Sequence, residues 1–581
     1  MLSSPTSSRL SASTESLPSS WWSYLTVGLA IGFGCWVSFV QPPDGGYFTT
    51  DEQFIADSGV FMLFGATPRC LDWPGIPMVL VFYLLALGKC LINLVGAAQA
   101  GGLSAVGVFE VVDKTAYAYL LDRVPLIMAG RFVQIMLVGG LLLWGVRIIH
   151  KASASLLPTV LRLPLVVILC LQYDVLVSTP IIRPEALSYA LFAVASLLIL
   201  FGEFPARSWR QPTVVLLLIA LLISQRLLFL FTFPFLLGGL LFRMGWSWKW
   251  ALGLLAGLLV SMLLTMPFLW TDSFVLLKAF AGGMLMKVSG KQTSFFNWGY
   301  VSEMVLTAPT VWQLLLLPIG AVVFWRWYPN RGVAALLISN LVLLTISIFH
   351  SSTIYITHTL PLRAMGVFLL AYAGYGVYHV THRRWALYGL AALLALSNFT
   401  ESVLLEVDLL RPSMLWQTAN FLKTLPANTP VLLNPEFDNV IPRSRETLLR
   451  ELQSVTNQAL TQAKYDRQLN GLNGPSGRAT PVSLQTSLSE DERLAILERQ
   501  ILAQYTPPNK YVDVTFFDTA VGFVNYFIDQ KVAFADFEKG KYTYLITHDA
   551  QLAYPRVRQF DQPSHVEPFY VYKTPAQSAA P

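Results

Sequence analysis

Asp51 and Glu52 are adjacent carboxylates that come shortly after the first long apolar segment of the chain. A carboxylate in this position can accept the proton of an attacking hydroxyl, and partial burial raises the pKa of a carboxyl group toward the range that suits a general base. The pair is therefore a candidate catalytic base. The alternative is structural, because Asp commonly caps the start of a helix and Glu52 would then only be solvated.

Arg183-Pro184-Glu185 precedes another apolar segment. The planar donor fork of arginine fits phosphate oxygens, and the helix that follows presents its positive end to the same place. The alternative for Arg183 is an interfacial side chain that reaches toward water, with Pro184 and Glu185 in the first helical turn.

The segment 271–310 combines Lys287 and Lys291 with an aromatic run that includes Trp298 and Tyr300. Lysines can bind a phosphate and aromatic rings can stack on a sugar, although an ordinary interfacial belt also contains aromatic residues. His350 and His358 lie eight positions apart before another apolar segment, which is not a metal-binding spacing, so no metal site is predicted.

The composition places most of the chain in a membrane. Of its 581 residues 54% are hydrophobic and 13% charged, whereas about 25% are charged in a typical soluble protein. The positive residues behind the net charge of +6 then indicate which loops are cytoplasmic, rather than a nucleic-acid partner. The cysteines form neither a CxxC pair nor a cluster with histidine, so neither a disulfide framework nor a structural zinc site is predicted (Cys35, Cys70, Cys90, Cys170).

Apolar segments near the length needed to cross a bilayer recur between Trp21 and Leu405. Hydropathy predicts them near 21–40, 76–96, 126–147, 156–176, 185–202, 213–226, 227–242, 249–270, 311–327, 332–349, 361–379 and 385–405. The stretch 213–242 is predicted to form a tight hairpin at Arg226, because an arginine in mid-bilayer costs several kcal/mol.

The charges of the connecting loops assign the two sides of the membrane. Cytoplasmic loops collect Lys and Arg, and basic pairs occur at Arg147 and Lys151, Arg207 and Arg210, Arg243 and Lys249, Arg326 and Arg331, and Arg383 and Arg384. The loops between them are acidic. Segment 76–96 breaks this alternation and is predicted as an interfacial or re-entrant helix. About eleven spans remain, with the N-terminus cytoplasmic and residues 406–581 outside.

Three regions follow: a disordered cytoplasmic tail (1–20), a transmembrane domain (21–405) with long outer loops at 41–125 and 271–310, and an extracytoplasmic soluble domain (406–581). Strand-like runs at Pro430–Leu433, Val512–Phe517 and Tyr542–Thr547 alternate with helical stretches at 444–465 and 488–505, and 468–487 is a predicted flexible loop. The predicted fold is a polytopic α-helical membrane protein with a C-terminal α/β or α+β domain.

The order of these motifs resembles the membrane glycosyltransferases of the GT-C superfamily, most closely the protein mannosyltransferase and aminoarabinose transferase branch. The resemblance covers roughly residues 21 to 400. Its motifs are Asp51-Glu52, Trp73-Pro74-Gly75-Ile76-Pro77, Arg131-Phe132, Trp144-Gly145-Val146-Arg147 and Arg183-Pro184-Glu185. The sequence departs from the family at Trp73-Pro74-Gly75-Ile76-Pro77, where Lys-Pro-Pro is usual.

The resemblance implies a role for each candidate residue. It assigns Asp51 as the base and Glu52 as its neighbour. It assigns the phosphate of a polyprenyl-phosphate sugar donor to Arg183, Lys287, Lys291 and Arg226. The remaining candidates are substrate-binding: Asp72, Trp73, Glu185, Trp298, Tyr300 and His358.

The implied reaction is an inverting transfer of the sugar to a hydroxyl of a lipid, glycan or protein acceptor on the outer face. It needs a base and positive charge for the departing phosphate, but no cofactor; a divalent metal is not indicated. The implied location is a cell envelope, as an integral protein of a bacterial inner membrane in contact with membrane lipid. Two other readings remain open: a transporter or flippase for a lipid-linked saccharide, and a non-catalytic envelope assembly subunit or another lipid-linked polymer enzyme.

Overall fold

The computed structural model describes residues 18–39, isolated positions between 88 and 99, and residues 124–180, 184–204, 209–266, 311–349, 360–409, 414–433, 512–518, 528–561 and 568–574. Up to residue 409 the described elements are helical. They are α1 (Pro18–Phe39), α2 (Val124–Lys151), α3 (Thr159–Cys170), α4 (Tyr173–Ser178), α5 (Pro184–Phe201), α6 (Arg210–Gln225), α7 (Phe233–Met244), α8 (Trp248–Thr265), α9 (Leu317–Trp327), α10 (Arg331–Phe349), α11 (Leu360–Thr381) and α12 (Arg384–Leu409). Short 3-10 helices, Leu227–Thr232 and Val311–Leu316, lead into α7 and α9.

Within the described residues, six helices are long and apolar enough to cross a membrane: α1, α2, α5, α8, α11 and α12. Five shorter apolar helices lie near predicted spans: α3, α6, α10, and α7 and α9 with their 3-10 turns. The chain is therefore an integral membrane protein, since apolar helices of this length satisfy their backbone hydrogen bonds internally in lipid. The count of about eleven spans would require the shorter helices to cross as well, and it stays a prediction.

One end of the helical bundle collects the basic loops, and we call it the basic end. Ser23 in the first turns of α1 and His150 at the end of α2 are hydrogen-bonded at 3.0 Å. The last residues of α5, α7, α9 and α11 also meet there. Arg243 donates to the carbonyl of Gly202, Tyr328 donates to the carbonyl of Leu200 at 2.6 Å, and the rings of Trp327 and His379 stack at 4.1 Å.

At the opposite end, α1 finishes and α2 begins beside α4. Ser38 donates to the carbonyl of Pro180 at 2.6 Å, and Gln134 donates to the carbonyl of Ser178 at 2.8 Å. Residues 40–123 therefore join two points at the same end of the bundle. Segment 76–96 lies mostly outside the described residues, so its interfacial or re-entrant assignment stays a prediction.

Residues 267–310 likewise join two points at this opposite end. The ring of Trp250, in the first turn of α8, lies 4.6 Å from the ring of Trp209. Trp209 follows the basic end of α5 closely in sequence, so α8 begins at the basic end and finishes at the opposite end. Helix α9 finishes at the basic end, so its 3-10 turn begins at the other. Both long outer loops predicted from the sequence are thus attached to the same end.

Helix α5 is the centre of the bundle, and every one of its residues is buried. Its neighbours approach closely where they carry glycine: a side chain at Gly145 of α2 would meet Leu197, and one at Gly239 of α7 would meet Ile199. Small residues allow such contacts in membrane helices, where packing rather than the hydrophobic effect drives association. The ends of α5 are therefore fixed in position by the helices around it.

The predicted hairpin within 213–242 is confirmed. Helix α6 ends at Gln225, Arg226 is extended, and α7 follows after the 3-10 turn. Asn340 of α10 satisfies the backbone at this irregular point, because its amide donates to the carbonyl of Phe231 at 2.7 Å and accepts from the N–H of Phe235 at 3.1 Å.

Three predicted boundaries differ from the structure. The single span predicted at 156–176 is wrong: the chain breaks between α3 and α4, where the amide of Asn398 donates to the carbonyl of Leu171 at 3.1 Å and Gln172 caps α4. Helix α1 begins at Pro18 rather than at 21, since proline is favoured in a first helical turn. Helix α12 continues to Leu409, past the expected domain boundary at 405.

The C-terminal part contains a six-stranded mixed sheet in the order β3-β2-β1-β4-β6-β5. The strands are β1 (Pro430–Leu433), β2 (Asp513–Asp518), β3 (Ile528–Asp529), β4 (Tyr544–Thr547), β5 (Arg556–Phe560) and β6 (Phe569–Lys573). The first four are parallel, and β6 and β5 add an antiparallel pair at one edge. The three predicted strands correspond to β1, β2 and β4.

Helices α13 (Met414–Thr424) and α14 (Gln530–Glu538) contribute to two separate apolar cores of this sheet. Phe421 and Leu422 of α13 pack with Val431, whereas Phe537 of α14 packs with Leu432, the next residue of β1. Adjacent residues of a strand point to opposite faces, so the two helices cover opposite faces of the sheet. The predicted helices 444–465 and 488–505 and the loop 468–487 lie outside the described residues.

Candidate functional site

Of the predicted site residues, Glu185 and Arg226 belong to the described part of the chain. The others lie outside it: Asp51, Glu52, Asp72, Trp73, Arg183, Lys287, Lys291, Trp298, Tyr300 and His358. Their predicted roles stay predictions. Arg183 directly precedes Pro184, the first residue of α5, so it is tied in sequence to the site described below.

Glu185 and Arg226 form an ion pair, in which Nη1 of Arg226 donates to Oε1 of Glu185. Glu185 lies in the first turn of α5, and Arg226 follows the last residue of α6 in extended conformation. Their side chains are 7% and 12% exposed, which leaves little room for water to screen the pair. The sequence suggested both residues for separate roles, and the structure makes them direct partners.

Asp174 and Arg363 form a second ion pair that the sequence analysis did not predict. Nη2 of Arg363 donates to Oδ1 of Asp174 at 2.6 Å, and the guanidinium lies 5.6 Å from the ring centre of Tyr173. Asp174 is in the first turn of α4 and Arg363 in the first turn of α11. The side chain of Gln172 accepts from the N–H of Asp174 at 2.7 Å, which fixes the start of α4.

The two pairs form one group, which we call the charge cluster: Asp174, Glu185, Arg226 and Arg363. Asp174 is close enough to interact electrostatically with the other three. Two carboxylates and two guanidinium groups give no formal net charge, and each charge lies at a helix terminus where α4, α5, α6 and α11 meet. Burial of charge is tolerated here because every charge has a partner of opposite sign.

This arrangement can bind an oxyanion. A guanidinium carries five N–H donors in a fixed plane, a geometry that suits phosphate oxygens as well as carboxylate oxygens. The N-termini of α4, α5 and α11 add positive partial charge at the same junction. Oδ2 of Asp174 is buried and has no hydrogen-bond partner within the described residues.

Sequence signals for the two unpredicted members existed but were weak. Asp174 interrupts an apolar stretch predicted as one span, and Arg363 follows a proline at the start of another. An ionisable residue inside an apolar segment is a functional candidate by default. In the sequence, however, 189 positions separate Asp174 from Arg363, so their pairing has no local signature.

A metal centre is not evident in the part of the chain that the structure describes, which contains no group of three or more His, Cys, Asp or Glu side chains able to hold an ion. Among the remaining motif residues, Arg131 is buried within α2 and the neighbouring Phe132 is exposed. The burial of Arg131 places another polar side chain inside the helical bundle.

Comparison with known proteins gives structural matches only. No protein-family model and no curated protein matches the chain. The chain is similar to the crystal structure of ArnT from Cupriavidus metallidurans bound to undecaprenyl phosphate, with 12% identity and a TM-score of 0.46 over 97% of this chain and 99% of that one. The apo state of ArnT matches with the same identity and TM-score.

The archaeal oligosaccharyltransferase AglB from Archaeoglobus fulgidus, in complex with an inhibitory peptide and a dolichol-phosphate, matches with 10% identity and a TM-score of 0.42. That match covers 79% of this chain and 69% of AglB. ArnT is an aminoarabinose transferase, and both matched proteins are members of the GT-C superfamily.

Proposed function

We propose that this protein is a membrane glycosyltransferase that moves a sugar from a polyprenyl phosphate to a hydroxyl of a lipid, glycan or protein acceptor. The observation that carries the proposal is the charge cluster. It holds Arg226, a donor-phosphate candidate, in a mostly buried position at a junction of helix termini, where its side chain is 12% exposed. A preorganised guanidinium in a site of low dielectric stabilises the negative charge that develops on a departing phosphate.

The position of the cluster supports this role. The segments 40–123 and 267–310 are attached to the same end of the bundle as the cluster. They carry Asp51 and Glu52, and Lys287 and Lys291, respectively. This attachment supports the proposal that the base and the phosphate ligands act at one end of the bundle, as a reaction between a lipid phosphate and an acceptor requires.

In the proposed reaction, Asp51 accepts the proton of the acceptor hydroxyl as its oxygen attacks the anomeric carbon. The new bond from oxygen to carbon forms while the bond from carbon to the phosphate oxygen breaks, so the phosphate leaves with the electron pair. Attack opposite to the leaving group inverts the configuration. Arg226, with Arg183, Lys287 and Lys291, neutralises the phosphate, while Glu52 and the substrate-binding residues orient the acceptor and the sugar.

A transporter of lipid-linked saccharides is the main competing function. Such a protein places ionisable residues near the middle of its helices, facing a pathway. The four members of the charge cluster lie instead at or next to helix termini. This placement favours chemistry at one membrane surface over passage through the bundle.

The proposal extends to location. We place the protein in a bacterial inner membrane, with the basic end and the N-terminus in the cytoplasm, because basic loops are retained on that side. The membrane domain extends from α1 to the end of α12 at Leu409, and the chain after α12 forms an extracytoplasmic domain on the opposite side. The charge cluster then faces the cell envelope.

A transfer assay tests the proposal. Purified protein in lipid is supplied with a panel of polyprenyl-phosphate sugars, and Asp51→Asn is compared with Asp57→Asn, a nearby carboxylate with no assigned role. Loss of a general base lowers the rate by about 100-fold or more, so Asp51→Asn should lose transfer while Asp57→Asn retains it. Equal activity of Asp51→Asn and the wild type would remove Asp51 from the mechanism. No turnover of any donor by folded wild type would refute the proposed function.

A further inference from the structure

We propose that Asp174 and Arg363 are positioning residues that hold Arg226 in the orientation in which it binds a lipid phosphate. This inference rests on the proposed function for the identity of the ligand. Neither residue has to touch the substrate. Their role is to fix the arrangement of the two arginines at the junction of four helices.

The first argument is the connectivity of the cluster. The pair of Asp174 and Arg363 joins α4 to α11, and the pair of Glu185 and Arg226 joins the start of α5 to the end of α6. Arg226 lies at a backbone break, so no continuous helix holds it on both sides. Its direction therefore depends on the side chains around it.

The second argument is electrostatic. Arg226 and Arg363 carry like charges and both interact with Asp174. The carboxylate of Asp174 offsets the repulsion between them and lets both remain buried. Removal of both charges would take away the carboxylate of Asp174 and the cation of Arg363, which together set the electrostatic field around Arg226, so its guanidinium would no longer be held in one orientation.

The third argument concerns stability. Buried ion pairs contribute little net stability compared with well-packed apolar residues, because desolvation offsets their attraction. Oδ2 of Asp174 is also buried without a hydrogen-bond partner in the described part of the chain. A buried polar atom in that state calls for a functional explanation more than a structural one. Supporting contacts from Gln172 and Tyr173 nevertheless keep the pair in one geometry.

The test compares binding of a polyprenyl phosphate and of the corresponding uncharged polyprenol to the full chain in lipid nanodiscs. The ratio of the two affinities isolates recognition of the phosphate, and a general loss of structure lowers both affinities together. The test variant is Asp174→Asn with Arg363→Gln, which removes both charges and leaves none unpaired. The matched control is Arg243→Gln, which removes a guanidinium contact at the basic end of the same central helix.

The double variant should lower the preference for phosphate by about 10- to 100-fold, the range expected when a binding group is misplaced by roughly 1 Å. Arg243→Gln should leave the ratio unchanged. If the double variant does not fold, Tyr173→Leu removes the ring beside Arg363 and leaves all four charges in place. It should lower the ratio about two- to fivefold. An unchanged ratio of the two affinities in the folded double variant overturns the proposal. If the double variant does not fold, an unchanged ratio in Tyr173→Leu overturns it.

Failure of the positioning role and failure of the proposed function give different results. A wild type that transfers sugar, with an unchanged phosphate preference in the double variant, refutes positioning alone. If the wild type prefers the phosphate but transfers no sugar, and the double variant loses that preference, the proposed transferase function is refuted. The positioning role then stands. A wild type with no preference for the phosphate refutes positioning directly.

Discussion

Arg226, directly after the last residue of α6, is ion-paired with Glu185 in the first turn of α5, and 41 positions separate the two residues in the sequence. The pair closes the junction between two antiparallel helices. It also keeps an arginine buried at the tip of an apolar hairpin, where an unpaired charge would cost several kcal/mol. The same guanidinium that is proposed to bind phosphate therefore also supports the fold.

Removal of this arginine should destabilise the protein. Arg226→Gln leaves the carboxylate of Glu185 buried without its ion-pair partner, and breaking a buried pair costs about 3–5 kcal/mol. Arg210→Gln, at the exposed start of the same helix, is the control and should cost less than about 0.5 kcal/mol. Reversible unfolding in detergent measures the difference. Equal stability of the two variants would contradict a structural contribution from the pair.

Gly320 should be intolerant of any side chain. A Cβ at this position of α9 would lie 2.0 Å from the carbonyl oxygen of Leu369 in α11, so the two helices would have to separate. Gly320→Ala should lower the free energy of unfolding by about 1–3 kcal/mol.

Gly140→Ala provides the comparison, because a Cβ at that position of α2 meets nothing within 4 Å among the described residues beyond its own helix backbone. Alanine is the better helix former by about 1 kcal/mol. The control should therefore be neutral or slightly stabilising. Thermal unfolding measures the stability of both variants. If Gly140→Ala is destabilised and Gly320→Ala is as stable as the wild type, α9 and α11 do not approach each other as closely as described.

Asn340 should be essential for the backbone break before α7. Asn340→Leu keeps a similar volume but removes one donor to the carbonyl of Phe231 and one acceptor from the N–H of Phe235. Each unsatisfied buried group costs about 1–3 kcal/mol. Ser339→Ala on the exposed face of the same helix should have little effect. Hydrogen exchange across 227–244 should increase in Asn340→Leu alone; unchanged protection would argue against this role.

Cysteine labelling tests the proposed sides of the membrane. In a background without the native cysteines, Glu203→Cys reports on the basic end and Gln551→Cys on the C-terminal part, and both positions are exposed. A membrane-impermeant maleimide should label Gln551→Cys in spheroplasts and label Glu203→Cys only after permeabilisation. The reverse pattern would invert the orientation, and labelling of both before permeabilisation would contradict the proposed sidedness.

The helices near the predicted spans and the strands β1, β2 and β4 could be predicted because their signals are local. Long runs of apolar residues indicate where helices form in lipid, and short apolar runs such as Pro430–Leu433 indicate strands. The break between α3 and α4 was missed because it depends on Asn398, which is distant in sequence. Strand β5 was missed because four of its five residues are exposed and two of them are arginines, so it has no apolar alternation.

The sequence by itself determined that the chain lies in a membrane, that its basic loops alternate with acidic ones, and that Glu185 and Arg226 are candidates for a site. These features depend on residue type and on positions close in the chain. Only the tertiary structure decided that Glu185 pairs with Arg226 and that Asp174 and Arg363 complete the cluster. The physical reason is that a buried charge selects a partner by proximity in space, and helix packing brings together residues far apart in sequence.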